Sequence, residues 1–112
     1  MATTALGQQA IPLACDLTAI PADERQAHEL LGKQLFYDPA LERHELADGY
    51  AFQFRADQYP LLAAFIANER RCCPFFHFTL EVEPGQGPIW LRLTGGEGVK
   101  ELLLSELVNQ AS

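Results

Sequence analysis

Four side chains concentrate the reactive chemistry of this 112-residue chain: Cys15, the adjacent pair Cys72 and Cys73, and Glu69. Thiolates are the ligands of soft metals. An adjacent pair with a third sulfur suits two- or three-coordinate mercury(II), copper(I) or trivalent arsenic better than tetrahedral zinc. Zinc would want a fourth ligand, for which Glu69 is the candidate. Glu69 lies three residues before Cys72 and four before Cys73, spacings that bring side chains onto one helix face, and four after the apolar Phe65. Acids on an apolar stripe are rare unless paired or functional. The electrostatics conflict, because Arg70 and Arg71 favour thiolate whereas the negative end of a helix dipole at Cys72 opposes it.

An odd number of cysteines, two of them adjacent, argues against a disulfide framework, and a Cys72–Cys73 bond would close a strained ring. Cysteine is also among the most buried residue types, so the same three residues can be read as plain core packing. His28 and His44 read as solvated. An extended run from Cys73 would carry His77 about 13 Å along a strand, out of a ligand's reach. Glycines between Thr94 and Gly98 fit a capped helix start better than a phosphate loop.

These side chains need elements to hold them. Residues 1–10 are small and polar without a period and read as a flexible arm, leaving 11–112 as a single domain. Ile11, Leu13, Cys15 and Leu17 alternate as in a half-buried strand, with Cys15 toward the core. Pro21 suits a first helical turn, and Ala27, Leu30, Leu31 and Leu35 recur at helical spacing until Asp38 and Pro39. Leu41 to Leu46 reads as a charged edge strand, returned by Asp48 and Gly49 through Tyr50, Phe52 and Phe54. Asp57 offers a cap for a second helix whose stripe of Leu61, Leu62, Phe65 and Ile66 runs on to Cys72, and Pro74 ends it. A second hairpin follows, with Phe76, Phe78, Leu80 and Val82 alternating before the Pro84 to Pro88 turn and Ile89, Leu91 and Leu93 after it. Thr94 and Glu97 then have capping-box spacing ahead of Val99, Leu102, Leu103 and Leu107.

The expected order is β-α-β-β-α-β-β-α. This is an α+β fold with a ferredoxin-like split β-α-β arrangement extended by one strand and one helix, its sheet antiparallel and its helices mainly on one face. In that topology the first strand and second helix run the same way, which brings Cys15 to the edge where Cys72 and Cys73 end the helix. Trp90 and Arg92 fall on the sheet face away from Ile89 and Leu91. With the sparsely covered edge at Leu41 to Leu46, they suggest a homodimer.

The formal net charge of -7 argues against nucleic acid, whose phosphates need a basic stripe, and against anionic lipid. No apolar run approaches the ~20 residues of a membrane span, and the opening residues lack the basic start and apolar middle of a signal peptide. Cytoplasmic residence is the expectation.

The stretch Glu69-Arg70-Arg71-Cys72-Cys73-Pro74-Phe75-Phe76-His77-Phe78-Thr79-Leu80, with Leu91-Arg92-Leu93-Thr94-Gly95 and Ala14-Cys15-Asp16-Leu17, resembles a small uncharacterised bacterial domain. That domain accompanies, or is fused behind, MerR-type heavy-metal-responsive regulators. The resemblance runs from about Ala14 to Leu107 and implies a metal-linked role for Cys15, Cys72 and Cys73, without the regulators' DNA-binding part. A shorter likeness, over the vicinal cysteines and the aromatic strand after them, is to organomercurial lyases, in which cysteines and one carboxylate cleave and protonate a carbon–mercury bond.

Three readings therefore stand. The first is a soft-metal or metalloid binding domain using Cys15, Cys72 and Cys73 for mercury, copper or arsenic, with zinc a poorer fit. The second is a thiol-dependent, lyase-like enzyme with Glu69 as proton donor. The third is a structural or dimerisation module with buried cysteines and no metal.

Overall fold

The computed structural model describes residues 13–108. The expected arm of residues 1–10 lies outside them, as do Ile11 and Pro12 of the expected first strand. The described residues form an α+β fold. Helix α1 (Arg25–Phe36) precedes a hairpin of β1 (Glu42–Leu46) and β2 (Gly49–Phe54). Helix α2 (Tyr59–Cys72) follows, then a second hairpin of β3 (His77–Val82) and β4 (Ile89–Thr94). A single helical turn, α3 (Val99–Leu103), widens into π geometry over Leu104–Val108.

The four strands make one antiparallel sheet in the order β1-β2-β4-β3, so the two hairpins join through the second strand of each. Its register places Phe52 opposite Leu91 and Leu91 opposite Leu80, a row on the face that the helices cover. Strand alternation then sends Tyr50, Phe52, Phe54, Ile89, Leu91 and Leu93 into the core, where they meet Leu35, Phe36, Leu62, Phe65, Val99 and Leu103 of the helices. Phe36 is fully buried at the centre, edge-on to Phe52 at 5.0 Å and to Phe54 at 5.5 Å. The opposite face carries Trp90, which contacts the His44 ring at 4.9 Å, and Arg92, 3.4 Å from Glu81. Gly49 is required where the hairpin turns into β2, because a Cβ there would collide with the Leu93 carbonyl.

Three expectations are corrected. First, the segment from Leu13 is not a strand: after Asp16 it enters a 3-10 turn at Leu17–Ala19. Asp16 accepts hydrogen bonds from the Thr18 backbone N–H at 3.0 Å and from its hydroxyl at 2.5 Å. Arg25 donates to the carbonyls of Leu17, Thr18 and Ile20 at 3.0, 3.3 and 2.9 Å, occupying acceptors that a strand ladder would need. The split β-α-β order is absent among the described residues, since β2 and β4 pair directly and leave no place between them.

Second, Thr94 does not cap α3. It ends β4 opposite Gly49 and His77, and the helical turn starts instead from Gly98 at φ 91°, a left-handed conformation suited to glycine. Third, Asp57 does not cap α2. A 3-10 turn at Ala56–Gln58 leads into the helix, with the Arg55 backbone N–H donating to the Gln58 side chain at 2.9 Å and Asp57 taking the Arg55 guanidinium at 3.1 Å.

Candidate functional site

Helix α2 stops where Pro74 forces the preceding residue out of the α region, and Cys73 accordingly sits at φ -124° and ψ 75°. Its backbone N–H still closes the last turn on the Glu69 carbonyl at 2.7 Å. Cys72, inside the helix, and Cys73, just outside it, are both buried, with their sulfurs 3.7 Å apart.

The third sulfur comes from a segment held by its own contacts. Ile20 is fully buried in a small apolar cluster with Cys72 and Cys73 against Phe75 and Phe76. The Asp16 backbone N–H donates to the Cys72 carbonyl at 2.8 Å, and Arg25 fastens the turn between them to the start of α1. Cys15 is thereby delivered to the end of α2, as expected, although by a turn and not by a strand. The sulfurs of Cys15, Cys72 and Cys73 all lie within 4.8 Å of one another.

The oxidation state differs from expectation. Cys15 and Cys73 are joined in a disulfide, with Cα atoms 4.4 Å apart and a sequence separation of 58, while Cys72 is free. The parity argument against a disulfide fails because three cysteines in one place leave a pair and a single thiol. The vicinal bond, disfavoured by its strained ring, does not form. Cys15 is exposed, contrary to its expected core-facing side chain.

Burial pushes the Cys72 thiol above its ordinary pKa; the nearby Glu69 charge adds to the effect, as do Asp16 and Glu29, and the Asp16 backbone N–H opposes it. Arg70 and Arg71 are exposed and do not offset this. Hydrogen bonds from Thr18 hold the Asp16 carboxyl below its usual range.

Glu69 sits on the face expected of it, and it has a partner that the sequence reading missed. His28, 6 % exposed, brings Nε2 to 2.8 Å from Glu69 Oε1 and stacks on Phe65 with ring centroids 5.2 Å apart. His28 Nδ1 is buried without a hydrogen-bond partner. The signal was present in the helical spacing. His28, Leu31 and Leu35 fall on one stripe of α1, whereas Ala27 and Leu30, expected on the apolar face, are exposed. His77 is exposed at the start of β3.

A cavity of about 240 Å³ adjoins the sulfurs and reaches from Cys15, Cys72 and Cys73 past His28 and Glu69 to Phe65 and Leu102. Three thiols in reduced form would offer a soft ion two or three sulfur donors. Metal–sulfur bonds of ~2.3 Å let two sulfurs sharing one atom stand up to about 4.6 Å apart, close to the spread observed. Among the described residues no helix is long and apolar enough to cross a membrane. No family model, curated protein or solved structure matches this chain.

Proposed function

We propose that the reduced protein binds a soft metal or metalloid ion through Cys15, Cys72 and Cys73, and that the Cys15–Cys73 disulfide is the oxidised, closed state of the same site. The observation that carries this reading is the gathering of three sulfurs, from segments far apart in sequence, within 4.8 Å. Contacts other than the disulfide hold those segments together, so reduction leaves the donors near one another: Ile20 packs in its buried cluster, the Asp16 backbone N–H donates to the Cys72 carbonyl, and Arg25 fixes the turn to α1. A preorganised donor set binds with less ordering cost than one assembled from a loose chain. The metal-linked role implied by the resemblance to domains accompanying heavy-metal regulators agrees with this assignment.

The test is a titration of phosphine-reduced protein with mercury(II), following the sulfur-to-metal charge-transfer band and the protons released. Wild type should take up one equivalent with micromolar or tighter affinity. The Cys72→Ser/Cys73→Ser double variant should lose that binding, and equal uptake by the two proteins would overturn the reading.

One observation favours a second reading, the lyase-like enzyme. The pair of buried His28 and half-buried Glu69 lines the same cavity as the sulfurs, so a proton could be carried to a captured organometallic ligand. Glu69→Gln separates the two. As a binder the variant keeps its metal affinity within a few fold; as an enzyme it still captures an organomercurial but no longer releases the hydrocarbon.

A further inference from the structure

An inorganic ion held by three sulfurs needs no room beyond its donors, yet about 240 Å³ of space opens beside them. A cavity of roughly 150 Å³ with aliphatic and aromatic walls is large enough for benzene. The walls here include Leu17, Phe65, Phe76, Leu102 and Leu107. Gly32 lines the space from the middle of α1, where glycine is the least favourable residue after proline. Its backbone does not call for glycine, since a Cβ would meet only the Phe65 ring, at 3.5 Å. What glycine preserves at this position is volume.

We propose that the ligand of this site is a trivalent arsenic compound bearing one aryl group, with arsenic bonded to Cys72 and a second thiol of the set and the ring lying between Gly32, Phe65 and Phe76. The proposal rests on the thiol-binding reading above and names its ligand.

The sulfur geometry favours a pyramidal centre. Sulfurs 3.7 Å apart, as Cys72 and Cys73 are, subtend about 107° at a shared atom with bonds of ~2.3 Å, whereas a linear two-coordinate ion needs about 4.6 Å. The charge around the cavity points the same way. Glu29, Glu69 and Glu106 line it against the cation Lys33, an acidic balance that disfavours anions and suits an arylarsonous acid, neutral near pH 7. Binding is an exchange without change of oxidation state: two arsenic–oxygen bonds break, two arsenic–sulfur bonds form, and each thiol proton leaves with a hydroxide as water. The disulfide must first be opened by a phosphine or dithiol, which is oxidised in its place.

Phosphine-reduced full-length protein is titrated with phenylarsine oxide and with methylarsonous acid, both two-thiol ligands, in competition with dithiothreitol. Wild type should prefer the phenyl compound at least tenfold more than dithiothreitol does. Gly32→Leu should remove that preference while binding the methyl compound within threefold of wild type, which also reports that the variant is folded. Gly32→Ala, a milder filling, should lose part of it. A wild type without phenyl preference, or a preference kept in both variants, would overturn the proposal. If mercury(II) binds and phenyl preference is absent, this inference alone falls; if reduced protein binds neither mercury nor arsenical, the reading beneath it falls as well.

Discussion

At Cys72 the chain holds a thiol where burial and a neighbouring carboxylate both work against its ionisation. In the oxidised protein it is the free cysteine, so its thiolate absorbance titrates without interference from the other two. We expect a midpoint above the ~8.5 of an unperturbed cysteine, moving down in Glu69→Gln as one negative charge is removed. A wild-type midpoint at or below that value would contradict this placement. The stability consequence has a definite sign. Because the folded-state pKa is raised, the unfolded chain loses this proton first, so the contribution of Cys72 is complete below about pH 8.5 and is lost as pH rises through the folded value. Denaturant midpoints measured at neutral and alkaline pH should diverge less in Cys72→Ala than in wild type. How much of the site was legible follows from the same chemistry. Adjacent cysteines and a carboxylate at helical spacing announce themselves in the sequence, so Cys72, Cys73 and Glu69 were found together. His28 was missed because Ala27 and Leu30 offered a more hydrophobic stripe than the one that is buried, and only the packing of α1 against Phe65 decides between them.

Between residue and fold, the segment Leu13–Ile20 decides whether there is a site at all. Beside the buried Ile20 and the Asp16 to Cys72 backbone bond, one side chain fixes its turn, since the Arg25 guanidinium bridges three carbonyls at 2.9 to 3.3 Å. Arg25→Met keeps the aliphatic stem and removes those bonds. It should lower the effective concentration of Cys15 at Cys73, shifting the dithiol–disulfide equilibrium in a glutathione buffer toward the dithiol by about tenfold, the equivalent of roughly one charge-assisted hydrogen bond. An unchanged equilibrium would mean that Ile20 and the Asp16 to Cys72 backbone bond suffice. This segment is also where the sequence misled. Alternating Ile11, Leu13, Cys15 and Leu17 imitate a strand, but a strand exists only where a ladder receives it, and β4 already occupies the inner edge of β2. Both helices and both hairpins were legible because apolar period, Asp48 with Gly49, and Pro74 act locally. The turn was not, because it depends on Arg25 and on contacts with the far end of α2, which no local pattern records.

For the whole molecule, the thiol set ties the start of the described chain to the end of α2 and so encloses α1, the first hairpin and α2 in one loop. Closing a loop of 58 residues removes unfolded-state entropy worth about 4 kcal/mol in the chain-entropy model, with 2 to 4 kcal/mol the usual yield. That is a large part of the roughly 5–15 kcal/mol expected of a domain. Reducing the wild type should therefore lower its unfolding free energy by about 2 to 4 kcal/mol. Cys15→Ser should show the same loss without reductant and no further loss with it. An ion shared between Cys15 and the α2 thiols would close the same loop by a different bond. Added to reduced wild type at about a thousand times its dissociation constant, it should restore about 4 kcal/mol, because binding to the native state alone contributes RT ln(1 + [L]/Kd). Mercury(II) added at the same concentration to reduced Cys15→Ser has only Cys72 and Cys73 to bind, whose sulfurs stand 3.7 Å apart, and it closes no long loop. Its recovery should fall short of wild type by much of the loop term, and equal recovery in the two proteins would show that Cys15 is not a ligand.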